Sequence, residues 1–243
     1  LYNETEEINV KENITLYPVT KKDVVYKFYN NGAKVSAGEV KCTLYNNDQS
    51  CTLTLPKIER NGWEILGFGE NKNSTKVYVP GMEIKTNASK NLYAITRKEL
   101  KISFSDNNKI IGNSSCYLYN EDRSCNIESP KVSKSGYQFL GWSNTKNGTN
   151  PVYTNDINIS NDTTIYAITK KTVIVTFNMN GADRIDFSRQ TCDLYNNQSS
   201  CKILIPNVNK QGYISYGFNK TTNSNNEFPE YISNTYANFN DSV

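Results

Sequence analysis

The sequence contains no histidine. That removes the commonest general acid or base, the commonest metal ligand and the central member of a Ser-His-Asp triad. Long hydrophobic runs are missing as well. Only 37% of the 243 residues are hydrophobic, with a mean hydropathy of −0.64. No stretch approaches the roughly 20 consecutive apolar residues that a spanning helix needs. Charge of one sign is lacking too: 27 Lys and Arg against 24 Asp and Glu, spread evenly, leave a net charge of +3. Nucleic-acid partners call for clustered basic residues, so no such partner and no membrane insertion are expected. No opening segment reads as a signal peptide and the chain starts at Leu1. An excised fragment or mature segment is therefore expected.

Aromatic residues are plentiful, at 12% with 17 tyrosines, which argues against disorder. Tyrosine and threonine with little alanine favour strands. The dominant feature is a repeat. "CTLYNNDQSC" fills 42–51, "CYLYNEDRSC" 116–125 and "CDLYNNQSSC" 192–201. The first cysteines, the prolines (Pro56, Pro130, Pro206) and the glycines (Gly62, Gly136, Gly212) recur after 74 and then 76 residues. Three landmarks with one spacing define repeat copies at 23–98, 99–171 and 172–243,. Later words also match: "NLYAITRK" at 91–98, "TIYAITKK" at 164–171 and, less closely, "NTYANF" at 234–239. The segment "EEINVKENITLYPVTKK" at 6–22 echoes the first two, so residues 1–22 are expected to be the tail of a preceding copy. Lys/Arg pairs join the copies with almost no linker, which favours a stiff rod over beads on a string.

No stretch sustains helical apolar spacing. Alternation is common instead: in "VIVTFNM", Val173, Val175 and Phe177 share one face,. One helical turn is expected in "KIERNG" before its glycine. Each Cys-bracketed stretch is predicted to be a hairpin with a two-residue type I′ turn centred on Asn46-Asn47, Asn120-Glu121 or Asn196-Asn197. Counting outward places the cysteines at a facing non-hydrogen-bonded pair, with Cα atoms roughly 4.5 Å apart. Period two sets Cys42 on the face of Leu44, and Cys51 on that of Leu53 and Leu55.

Three local disulfides are inferred, Cys42–Cys51, Cys116–Cys125 and Cys192–Cys201. Only a pairing within each copy can be satisfied identically by all three. A reduced pair or a metal site are the alternatives, although two cysteines per copy without histidine fall short of a structural zinc set. No metal or other cofactor is expected. Copies of about 75 residues bury thin cores and are marginal alone. Closing each ten-residue loop should contribute roughly 2–3 kcal/mol, and disulfides point to an oxidising compartment outside the cytoplasm.

"SPKVSKSGYQFLGW" at 129–142, followed by "TIYAIT", resembles a Listeria–Bacteroides repeat, the B-repeat type of internalin B and other large bacterial surface proteins. "VTFNMNGA" resembles the strand and turn that open such repeats. The outer copies carry "GWEILGF" and "GYISYGF" in place of the Gly-Tyr-x-Phe-x-Gly-Trp core, and the paired cysteines depart from the pattern. The resemblance implies a mostly β, α+β unit of the β-grasp (ubiquitin-like) type, tandem arrangement on the bacterial surface and no enzymatic activity.

Trp142, Trp63, Phe68 and Phe218 could form a glycan-stacking platform, but recurrence at equivalent positions favours core anchors. Tyr45, Tyr119 and Tyr195 precede the turns and should point away from the disulfide face, making them candidate exposed contacts. Asn-x-Ser/Thr triplets follow from asparagine richness, no Lys, Asn and carboxylate trio stands out for an isopeptide link, and no carboxylate pair recurs in every copy. The expected function is a non-enzymatic stalk or spacer of a secreted or cell-surface protein, with weak multivalent adhesion. The alternative is a module that binds one host protein or glycan specifically.

Overall fold

A computed structural model describes residues 7–222 and 228–243. Tail residues 1–6 lie outside the described residues. The described chain is all β, with twenty strands and no helix. It divides into two compact units, Leu1–Lys98 with Tyr117–Arg123, and Glu99–Cys116 with Ser124–Val243.

The first unit contains β1 (Lys21–Tyr29), β2 (Lys34–Val35), β3 (Glu39–Tyr45), β4 (Cys51–Thr54), β5 (Ile58–Glu59), β6 (Glu64–Gly69), β7 (Glu83–Thr86) and the first part of β8 (Lys90–Asp106). Alternation drives β1: Val24, Tyr26 and Phe28 are buried and their neighbours are not,. β1 pairs antiparallel with β3 and parallel with β8, and β6 pairs antiparallel with β8. The sheet order is thus β3–β1–β8–β6. A two-stranded ladder of β4 and β7 lies apart from it. Leu53 and Leu55 pack with Val24, Phe28, Phe68 and Leu92 in one core cluster. The helical turn expected in "KIERNG" is absent. Ile58 is buried in the core instead, and β5 pairs with β2.

The second unit contains the rest of β8, most of β9 (Lys109–Tyr119), β10 (Cys125–Ile127), β11 (Gln138–Ser143), β12 (Ile157–Ile159), β13 (Thr163–Thr176), β14 (Arg184–Ile185), β15 (Arg189–Tyr195), β16 (Cys201–Leu204), β17 (Val208–Asn209), β18 (Gly217–Phe218), β19 (Tyr231–Ile232) and β20 (Tyr236–Phe239). The registers of the first unit return. β13 runs parallel to β8 and antiparallel to β11, and its second half runs antiparallel to β15. Val173, Val175 and Phe177, predicted to share a face, are all buried and pack with Ile203, Ile205 and Phe239.

One alignment is corrected. Cys201 lies opposite Phe239, as Cys51 lies opposite Thr86 and Cys125 opposite Ile159. "NTYANF" therefore corresponds to β7 and β12, not to "NLYAIT". The strand that "LYAITRK" forms has no counterpart beyond it within the 243 residues. Val243 donates its N–H to the carbonyl of Ile174 and accepts from Thr176 N–H.

The hairpin expectation is also corrected. β3 and β4 share no ladder, because each finds another partner, β3 with β1 and β4 with β7. The cysteines accordingly span a bend between two sheets, with Cα atoms 5.9 to 6.0 Å apart. Positive φ occurs at Asn46, Asn120 and Asn196 alone in each turn, so the turns are not type I′.

Candidate functional site

Each turn is held by the same local pair of bonds. Asp48 N–H donates to the Tyr45 carbonyl and the Asp48 carboxylate accepts from Tyr45 N–H, at 2.9 and 2.8 Å. Asp122 repeats this with Tyr119, and Gln198 does so with Tyr195 through its amide oxygen. The disulfides Cys42–Cys51, Cys116–Cys125 and Cys192–Cys201 close the bends. Cys42 and Cys51 lie against the core that holds Leu44, Leu53 and Leu55, and Cys192 with Cys201 lies against the second unit's last core. The tyrosine before each turn is exposed at Tyr45 and Tyr119 and half-buried at Tyr195.

The asparagine at the turn does more than bend the chain. In the first unit, Asn120 and Thr96 exchange two bonds. Asn120 N–H donates to the Thr96 carbonyl, and Asn120 Oδ1 accepts from Thr96 N–H, both at 3.0 Å. Asn120 Nδ2 donates to the Lys72 carbonyl at 2.7 Å. Arg60 Nη1 donates both to the Asn120 carbonyl and to Thr96 Oγ1. Asn120 and Thr96 are both buried, so every one of these polar atoms needs its partner. Burial pushes the Arg60 guanidinium below its usual range, partly offset by the Glu121 carboxylate. It remains charged at any ordinary pH.

In the second unit, Asn196 and Thr169 exchange the same two bonds at 2.9 and 3.0 Å, and Asn196 Nδ2 donates to the Gly148 carbonyl. Lys134 takes the place of Arg60 and donates to the Asn196 carbonyl. A lysine ammonium has no fork, and Thr169 Oγ1 is left buried without a partner. At residues 20 and 46 only half of the arrangement exists. Thr20 and Asn46 exchange both bonds at 2.9 Å, but among the described residues no cation meets the Asn46 carbonyl.

The cation also covers a ring in each copy: Arg60 over Trp63 at 3.4 Å, Lys134 over Tyr137 at 3.9 Å and Lys210 over Tyr213 at 4.5 Å. This resolves the proposed aromatic platform. Phe68, Trp142 and Phe218 are equivalent positions, the first two fully buried. Trp63 is not their equivalent and belongs to the cation-covered series. Next to the anchors, a β-bulge falls at Gly67 and Gly141, with φ of +137° and +141°. A Cβ there would strike the carbonyl of Tyr78 or Tyr153.

Spacing gave no hint of the asparagine arrangement, since its partners lie 24 to 62 residues apart. A signal was nevertheless present: Asn46, Asn120 and Asn196 recur, as do Thr20, Thr96 and Thr169, and Arg60, Lys134 and Lys210. Among the described residues no group of three or more His, Cys, Asp or Glu is placed to hold a metal ion. Among the described residues there is no helix long and apolar enough to cross a membrane.

Residues 101–168 match the family model of the Listeria-Bacteroides repeat domain. The match spans the middle copy and bears out the resemblance read from its motif. No curated protein and no solved structure matches the chain.

Proposed function

We propose that the chain is a non-enzymatic tandem-repeat segment of a bacterial cell-surface or secreted protein, a stalk or spacer with weak multivalent adhesion. The family match at 101–168 and the three disulfides support a repeat module working outside the cytoplasm,. In this reading the copies are 23–98, 99–171 and 172–243, preceded by the tail of another. The first two are β-grasp relatives in which a parallel pair, β1 with β8 and then β8 with β13, forms the sheet centre and short ladders replace the helix.

The observation that carries the proposal is the buried asparagine arrangement. Asn120 belongs to the middle copy, while Arg60, Lys72 and Thr96 belong to the first, so the turn of one copy is fixed by residues of the copy before it. A buried polar network of this kind fixes the local geometry of the turn within the first unit,. Tyr45, Tyr119 and Tyr195 supply one candidate contact per copy, suited to weak multivalent binding of a host protein or glycan.

Surface-density binding tests the reading. The intact chain, presented sparsely or densely on beads, is applied to host cells and glycan arrays. Retention that appears only at high density supports a spacer with multivalent contacts. Saturable binding of the soluble chain to one ligand, at the same affinity at every density, would instead establish the specific adhesin.

A further inference from the structure

The middle copy lacks a strand that both its neighbours have. In the first copy β2 pairs with β5, and in the last β14 pairs with β17. Each time the chain lays a short strand of its own beside the segment that follows the proline. The middle copy closes its loop sooner. Cys116 follows Phe104 by 12 residues, whereas Cys42 follows Phe28 by 14 and Cys192 follows Phe177 by 15. Asn107 and Asn108 both adopt positive φ between β8 and β9, which pair directly,. The chain turns straight back, and no side strand forms.

The segment left uncovered is 129–133, the counterpart of 55–59 and 205–209. Leu55 donates its N–H to the Met82 carbonyl and accepts from Gly81 N–H, and Ile205 is held in the same way by Thr235 and Asn234. Among the described residues no backbone hydrogen bond reaches 129–133. Pro130 and Val132 are half-buried where Pro56 and Ile58 are buried. Gly112 of β9 lies beside the segment, since a Cβ there would stand 3.9 Å from Pro130 Cγ. Ile110 and Ile111, just before it, are 48% and 41% exposed. An extended edge with unpaired backbone groups next to exposed apolar side chains is a template for strand addition.

The side strands of the flanking copies show what fits. Val35 lies opposite Ile58 and Ile185 opposite Val208, and both pack against their cores. The next residue grips the facing segment through a short side chain. Ser36 N–H donates to the Lys57 carbonyl and Ser36 Oγ accepts from Lys57 N–H. Asp186 N–H donates to the Asn207 carbonyl and Asp186 Oδ2 accepts from Asn207 Nδ2. In the middle copy Lys131 occupies the place of Lys57 and Asn207 and is exposed, so its ammonium favours aspartate there over serine. We propose that the middle copy takes an extended segment of another protein as an added strand on residues 131–133. Valine or isoleucine of that segment lies opposite Val132, and the aspartate after it faces Lys131. The flanking copies are closed to the same ligand, because their own strands fill the place. This goes beyond the spacer reading and does not depend on the tyrosine contacts.

The test titrates the synthetic peptide Ala-Asp-Arg-Ile-Asp-Phe-Ser, the sequence of 182–188, into the intact, disulfide-bonded, isotope-labelled chain and follows backbone amides by NMR. Saturable shifts centred on residues 131–133 are expected, with slowed amide exchange there. The same peptide with proline for its second aspartate lacks the N–H that bonds across the ladder and should bind about tenfold more weakly or worse. Ser133→Pro removes an N–H on the receiving side, at the position of Glu59 opposite Lys34, and should have a similar effect. Lys131→Glu, an exposed change, sets like charge against the aspartate and should weaken binding severalfold even if Ser133→Pro folds poorly. Absence of saturable shifts at 131–133, a response centred on 57–59 or 207–209, or equal binding of the proline peptide would overturn the proposal.

Discussion

The two completed asparagine turns differ by one side chain. Around Asn120 the Arg60 fork reaches both the asparagine carbonyl and Thr96 Oγ1, whereas around Asn196 Lys134 reaches the carbonyl alone. Thr169 Oγ1 is consequently stranded. Arginine presents several donors in a rigid plane and lysine a single ammonium, so the exchange is not conservative at a two-acceptor site. The backbone exchange and the asparagine amide bond are the same in both. The shared geometry thus resides in the asparagine and threonine, and the cation adjusts how fully the site is satisfied.

The two tryptophans report on the units separately, Trp63 in the first and Trp142 in the second, so urea unfolding followed by fluorescence can test each side. The largest effects should come from emptying the cores beneath the turns. Leu92→Ala and Ile165→Ala remove wholly buried side chains, and each is expected to destabilise its unit by about 2–5 kcal/mol. Next come Asn120→Ala and Asn196→Ala. Each strips the threonine N–H of its partner and places alanine at positive φ; Asn196→Ala also strips the Gly148 carbonyl, whereas the Lys72 carbonyl loses one of two donors and keeps Asn31 Nδ2. Costs of about 2–4 kcal/mol are expected, equal within error. A large inequality would mean that the cation matters more than the asparagine.

Exchanging the cations should move the units in opposite directions. Arg60→Lys is expected to cost about 1 kcal/mol by stranding Thr96 Oγ1, while Lys134→Arg should gain a similar amount by engaging Thr169 Oγ1. Thr169→Val should likewise be neutral or stabilising, and Thr96→Val should not. The smallest effect concerns acid. Arg97, next to Thr96, pairs with Glu64 at 2.6 Å, and Lys170, next to Thr169, pairs with Asp193 at 2.7 Å. The Arg97 hydrogen bond holds Glu64 below its ordinary value, and those from Lys170 and Thr172 do the same for Asp193. Groups depressed by folding stabilise above their unfolded values and lose that contribution as pH falls through the folded ones. Both units should therefore soften slightly in the acid range, and Glu64→Gln or Asp193→Asn should flatten the response of its own unit alone.

The sequence reveals the parts that depend on local order. Alternation marks Val173, Val175 and Phe177, and the repetition of paired cysteines predicts three local bridges, which are the ones present. Local counting fails where a longer-range partner wins. A hairpin across Asn46 would have given β3 and β4 only each other, but β1 and β7 offer them full-length ladders, so the strands part after the bend. The helical turn after Pro56 yields in the same way to burial of Ile58. "NTYANF" resembles "NLYAIT" in its letters, yet the ladder with Cys201 assigns it to the preceding strand. The asparagine arrangement was beyond pattern reading because its chemistry joins segments dozens of residues apart. Only the joint recurrence of Asn, Thr and a cation in every copy hinted at it.

Amide hydrogen exchange at Thr96 and Thr169 tests the central claim most directly. In the intact chain both N–H groups should exchange as slowly as the core strands around them. Asn120→Ala should release Thr96 alone and Asn196→Ala should release Thr169 alone, with all three disulfides still formed. Threonine amides that exchange at loop rates in the unaltered chain, or stay protected after the asparagines are removed, would contradict the account.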